Sequence, residues 1–197
     1  MPMNDVLSKV YLVRHGETAW TISGQHTGRT DIALTEQGEG EARELKPRLK
    51  DMNFAQIFTS PLQRAARTGE LAGFAASAQP DPDLTEWDYG AYEGRRTVDI
   101  RAERIGWRLF KDGCPGGETL EAVSLRADRV IGRIRALEGD VLVFAHHDIL
   151  RILIARWLNL PAVEARHFYL ATASLSILGY DHDRDEPVIR LLNEEQR

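Results

Sequence analysis

The chain has 197 residues, 43% hydrophobic and 28% charged, with a formal net charge of −5; that is enough for one domain with a real core. The negative balance argues against a nucleic-acid or anionic-membrane partner, and the single cysteine, Cys114, excludes an internal disulfide framework or a four-cysteine zinc site. Twenty-one arginines against four lysines is a lopsided ratio. A GC-rich genome accounts for most of it, but the guanidinium fork also suits a positive pocket inside an acidic protein.

The opening MPMNDVLSKVYLV has no basic segment followed by a long apolar run. It does not read as a secretory leader, and with no eighteen-residue apolar window anywhere the expectation is a soluble, cytoplasmic protein. Val10–Val13 is the first strand candidate, and it stops abruptly at Arg14, His15, Gly16 and Glu17. Thr35 can cap a helix carrying Ala42, Leu45 and Leu49, which Pro47 should bend or shorten. Ile57–Ser60 closes a second strand. Ser60-Pro61 then reads as a cap with proline at the first helical position, opening a helix through Leu71. Leu84 to Thr119, rich in Gly, Trp, Tyr and Arg, is an excursion where a lid or specificity segment would sit. Val141–Phe144 is a third strand, and Leu150, Leu153, Ile154 and Trp157 form one apolar face of the helix after it. Ser174–Tyr180 and Val188–Leu192 complete the strands, joined by the turn DHDRDEP. Apolar strands separated by helices predict an α/β fold, a three-layer sandwich around a mostly parallel sheet, in one domain over 1–197 with the excursion at about 84–119.

Ligands of open α/β sheets bind beyond the carboxyl ends of the strands. Arg14 and His15 follow the first strand, Arg64 lies in the first helical turn after the second, and His146 and His147 follow the third. Two arginines and two histidines at one rim, beside a helix N-terminus, make an anion site suited to phosphate.

Arg14-His15-Gly16-Glu17-Thr18 resembles the RHGET signature of the histidine phosphatase superfamily, which includes the cofactor-dependent phosphoglycerate mutases. Thr27-Gly28-Arg29 with LTEQG at 34–38, SPLQRA at 60–65 with Thr68, EWDYGAYEG at 86–94, Gly117-Glu118-Thr119 and Val143-Phe144-Ala145-His146 match further blocks in order. The resemblance implies a metal-independent phosphatase with no cofactor, acting on a small phosphorylated substrate as a monomer or homodimer. His15 would be the nucleophile and become phosphohistidine; Arg14 and Arg64 would grip the phosphoryl oxygens, with His146 a further donor if protonated. Glu86, rather than Asp88 or Glu93, would protonate the leaving oxygen and then help activate water. Thr21, Thr27, Gly28 and His147 are the remaining substrate-binding candidates. Thr21 stands where the family often has asparagine, and His147 where it usually has glycine. His147 either points to solvent or narrows the pocket.

Several residues keep a second reading. His146-His147-Asp148 and the His182 turn could be metal ligands, although the ligand pairs of a metallohydrolase are not evident. Trp20, Trp107 and Trp157 read as core, Trp87 as a pocket wall beside Glu86, Cys114 as incidental, and His26 and His167 have no assignable role. Arg95, Arg96, Arg101 and Arg104 could bind a second phosphate, as in sugar-bisphosphate phosphatases, or form a solvated face. A phosphoglycerate mutase and a non-catalytic phospholigand-binding module are the rival functions. The sixty residues between Glu86 and His146 are short for a mutase and favour hydrolysis.

Overall fold

The computed structural model describes residues 7–195. Residues 1–6, the start of the stretch read for a leader, lie outside the described residues. In chain order the elements are β1 (Val10–Arg14), α1 (Ala19–Ser23), α2 (Glu36–Glu44), α3 (Lys46–Leu49), β2 (Phe54–Thr59), α4 (Gln63–Gly69) and β3 (Ala78–Pro80). Then come α5 (Thr97–Glu103), α6 (Leu109–Asp112), α7 (Leu120–Arg135), β4 (Asp140–Ala145), α8 (His147–Trp157), β5 (Leu175–Tyr180) and β6 (Pro187–Glu194). No helix among the described residues is long and apolar enough to cross a membrane.

One six-stranded sheet runs in the order β3-β2-β4-β1-β5-β6. The β3-β2-β4-β1 part is parallel, and β5 and β6 are antiparallel additions at one edge. Alternate residues of the central strands enter different apolar clusters. Val10, Leu12, Val141 and Val143 pack with α7 and α8, whereas Tyr11, Val13, Leu142 and Phe144 pack with Leu45, Leu49 and Ala72. A strand with both faces buried must be apolar throughout, which is why these runs do not alternate with polar residues. The fold is the expected α/β sandwich.

One element differs from the sequence expectation. The helix after β2 begins at Gln63, later than a Ser60 cap predicts: Leu62 takes the N-cap place, and its N–H donates to the Ser60 hydroxyl, which also serves His146. Of the two effects expected of Pro47 on the helix capped by Thr35, the structure shows shortening: α2 ends and α3 starts at Leu45, with the proline in the first turn of α3. The excursion contributes its own apolar side chains to the α7–α8 face, among them Trp87, Tyr92, Ile100 and Trp107.

The N-terminal turn of α2 is pressed against the end of β1. A Cβ on Gly16 would lie 2.4 Å from the Gly38 carbonyl oxygen, a backbone atom that cannot swing away. Gly16→Ala is expected to lower folding stability by about 1–3 kcal/mol, the usual cost of overpacking. Thermal and urea unfolding check this, and an unchanged midpoint would remove the account of this contact.

Candidate active site

The end of β1 places His15 under the sheet rim, 3% exposed. The Gly16 carbonyl lies 2.7 Å from His15 Nδ1. A carbonyl only accepts, so Nδ1 carries the proton and Nε2 is left with a free lone pair. Burial, then the charges of Arg14 and Arg64, hold the ring well below the usual histidine range. His15 is therefore a neutral imidazole at pH 7 with one bare nitrogen.

Arg64 has no exposed surface. Its guanidinium donates to the carbonyls of Thr30 (2.9 Å), Thr27 (3.2 Å) and Gly28 (2.9 Å), and Nε donates to His146 Nδ1 (3.1 Å). The loop offering these carbonyls is held by Glu93, whose carboxylate accepts from the backbone of Gly28 and Thr30. Gly28 is required there, since a Cβ would meet the Trp87 carbonyl oxygen at 2.4 Å. Arg14 donates to the Leu170 carbonyl at 2.6 Å, while its Nε is buried with no hydrogen-bond partner.

His146 is the N-cap of α8 and fully buried, its ring 5.2 Å from that of His15. Because Nδ1 accepts from Arg64, the proton is on Nε2 and donates to Ser60 Oγ at 2.7 Å. Burial and then Arg64 keep this ring well below the usual range, so it is a donor as a neutral imidazole and needs no protonation. Glu86 meets the first turn of α8: Oε1 accepts from Trp87 N (2.9 Å) and Ile149 N (3.0 Å), and Oε2 from Asp148 N (2.9 Å). Those three donors favour the carboxylate, but burial and then the neighbouring Asp148 charge win, raising its pKa to about 7. Oε2, with one partner against two, is the oxygen with room for a proton.

These groups bound a cavity of about 790 Å³, within the range of small-molecule sites. Arg14, His15, Thr21, Thr27, Glu86 and His147 line it; Arg64 and His146 stand behind the wall. A family model described as "Histidine phosphatase superfamily (branch 1)" matches residues 10–195. The chain belongs to the histidine phosphatase superfamily. An acid phosphatase of Mycobacterium tuberculosis is 38% identical over 180 residues, covering 88% of this chain and 87% of the relative. A sedoheptulose 1,7-bisphosphatase of Saccharomyces cerevisiae is 37% identical, covering 80% and 70%. A probable phosphoglycerate mutase of Erwinia tasmaniensis is 33% identical, covering 85% and 83%. A solved open-reading-frame product of M. tuberculosis superposes with TM-score 0.90 at 34% identity, covering 95% of this chain and 98% of that one. The protein is an enzyme of the histidine phosphatase type.

Within this histidine phosphatase the other candidates sort unevenly. The Thr21 hydroxyl is taken up in a reciprocal capping pair with Thr18, bonding both its N–H and its carbonyl. Thr27 and Gly28 serve Arg64 through their carbonyls. Trp87 does not line the cavity; it is fully buried and its indole N–H donates to the Glu118 carbonyl. Trp20, read as core, is half-buried on the cavity wall, and Trp107 belongs to both core and wall. Burial raises the Cys114 thiol to about 12, so it stays protonated. Among the described residues, the one three-residue grouping of metal-ligand types is Asp181, His182 and Glu186, all exposed, where His182 already bonds Glu186.

Sequence reasoning missed Glu93, Asp148, Tyr89 and the lining residue His26. Asp148 is buried and accepts from Tyr89 Oη (2.6 Å) and Arg151 (2.7 Å). Its adjacency to the His146-His147 pair was the available signal. Carboxyl ¹³C NMR is expected to show Glu86 titrating near pH 7; a midpoint near the ordinary value of about 4.3 would contradict this environment.

Proposed function

We propose that this histidine phosphatase hydrolyses small phosphorylated metabolites through a phosphohistidine on His15 Nε2. The observation that carries the reading is the bare Nε2 of a buried, neutral His15 in one cavity with Arg14, whose buried Nε has no acceptor. A buried guanidinium N–H without a partner is rare in a native protein, and a phosphoryl oxygen is the acceptor it suits. Nε2 attacks phosphorus in line; Arg14 and the positive field of Arg64 balance the phosphoryl charge, while His146, its Nε2–H given to Ser60, holds Arg64 in place through Nδ1. Glu86, protonated over part of its population at pH 7, gives the Oε2 proton to the departing alkoxide. The guanidinium groups supply positive charge for phosphoryl transfer, so no metal is needed in the scheme. A phosphoenzyme trapped by acid-free quenching of a ³²P-labelled phosphomonoester reaction, and lost in His15→Ala, is the expected result. Persistence of label in that variant would falsify the assignment, as would a requirement for added divalent metal after chelation.

The mutase reading draws on the named mutase among the relatives. It is separated from hydrolysis by supplying 3-phosphoglycerate with a bisphosphoglycerate primer. Free phosphate is expected, and formation of the 2-isomer as main product would reverse the choice.

The substrate class is read from the outer cavity. Of the excursion arginines, Arg95, Arg96 and Arg104 pair with Glu103, Asp99 and Asp112 and do not line the cavity. Arg101, Arg108 and Lys111 do line it, and none has a carboxylate within ion-pair distance among the described residues. Three unopposed cations suit a second anionic group, as in a sugar bisphosphate. Arg108→Glu with Lys111→Glu should lower kcat/KM for a sugar bisphosphate about tenfold more than for p-nitrophenyl phosphate. An equal effect on both substrates would remove the second-anion reading.

A further inference from the structure

His147 occupies the first helical position of α8, between the N-cap His146 and Asp148. Its side chain is 28% exposed and lines the same cavity as His15 and Glu86, which decides between the two orientations left open by the sequence. Its Nδ1 lies 3.1 Å from Asp148 Oδ1. That carboxylate also receives the Tyr89 hydroxyl and the Arg151 guanidinium. An acceptor already serving two donors is ionised, so His147 Nδ1 must be the donor to it and Nε2 keeps its lone pair. The edge of the ring faces Tyr169, with centroids 6.4 Å apart, which limits its rotation. Among the described residues, Nε2 has no hydrogen-bond partner. A carboxylate that fixes the tautomer and orientation of an imidazole, leaving the far nitrogen bare in a reaction cavity, is the arrangement of a general base.

Building on the phosphohistidine reading, we propose that His147 is a catalytic base for the second half-reaction, oriented by Asp148. Water in the cavity gives a proton to His147 Nε2 as its oxygen bonds to phosphorus. The P–N bond to His15 breaks and its electron pair returns to His15 Nε2. Inorganic phosphate leaves, and the His147 imidazolium returns its proton to solvent. Glu86, having given its proton to the leaving group, then needs only to recover it. The two proton transfers are divided between two groups, one starting as an acid and the other as a base. The position of His147 beside buried Arg14 and Arg151, with burial the larger cause, keeps its pKa below the usual histidine value, which supports the neutral form at pH 7.

The experiment uses the full chain and p-nitrophenyl phosphate, whose leaving group needs little acid assistance. Rapid quench follows nitrophenolate release and ³²P on the enzyme in wild type, His147→Gln and His147→Gly. In both variants the burst is expected to remain near one equivalent, at a rate within about threefold of wild type. Loss of label from the phosphoenzyme is expected to slow about 100-fold or more, the common size of a base contribution. Asp148→Asn should slow label loss in the same direction, by less. Label loss at the wild-type rate in both His147 variants overturns the proposal and leaves the phosphohistidine reading standing. A burst that disappears together with label loss shows a structural role instead and also overturns it. Absence of label in wild type removes both readings.

Discussion

Everything at the rim depends on holding Arg64 where no water reaches it. A guanidinium with no exposed surface, and no carboxylate within ion-pair distance among the described residues, is costly unless its donors are satisfied. Three backbone carbonyls and one imidazole nitrogen meet that need. Dipoles solvate the charge without cancelling it, so the positive field survives inside the protein. A carboxylate partner would have held the arginine equally well and left nothing for an anion. The same choice sets the histidines, because a cation beside each ring favours its neutral form. A neutral imidazole keeps a bare lone pair on one nitrogen; a protonated one has none to give.

The start of α8 solves a second problem with the same atoms. A helix N-terminus attracts anions, and here the protein's own Glu86 accepts from the N–H groups of Asp148 and Ile149. This fixes the carboxyl within the cavity wall while burial and the Asp148 charge push against its ionisation. The outcome is a carboxyl balanced near neutrality, where a proton can move either way at small free-energy cost. Asp148, by contrast, stays ionised: burial pushes its pKa up, but His147, Arg151 and the Tyr89 hydroxyl outweigh it and bring it below the usual carboxylate range. Two buried carboxyls linked through one backbone N–H are thereby given opposite protonation states.

The sequence made the central strands legible because burial on both faces demands unbroken apolar runs. It hid β3, which has three residues, ends in proline and is largely exposed, so no burial pattern marks it. Arg14, His15, Arg64, Glu86 and His146 were legible as motif residues at strand ends. What escaped were contacts whose chemistry runs through the backbone or across long separations. Glu93 matters through two N–H groups more than sixty residues away. Ser60 looked like a helix cap because serine before proline usually is one; its hydroxyl does accept from the Leu62 N–H just ahead of the helix, and it is also the acceptor for His146 across the fold. Thr21 looked like a substitute phosphate ligand, but local capping claims its hydroxyl, and short polar side chains near a helix start often go this way. Among the excursion arginines, composition could not tell paired from unpaired, since pairing is decided by how α5 and α6 turn.

The excursion faces the rim with Glu86 and Glu93 and carries an outer wall of cations beyond them. Its aromatic residues pack edge to face, Tyr92 on Trp107 and Trp87 on Phe110, and they belong to the core rather than resting on it. Such packing is close to that of a crystal and has low compressibility, so it holds these side chains in place. Arg101 is tied to this layer by its bond to the Trp107 carbonyl, whereas Arg108 and Lys111 extend from it exposed. Arg101, Arg108 and Lys111 on that outer wall make no hydrogen bond to Arg64, His146 or the turn at His15, which are held by the strand ends, the 27–30 loop, Thr68 and Gly38. A protein of net negative charge can then hold an anion because the field that matters is local. Arg151 and Arg166 on the cavity wall are paired with Asp148 and Glu164, whereas Arg14 donates to a carbonyl and Arg101, Arg108 and Lys111 face the cavity without a carboxylate partner among the described residues.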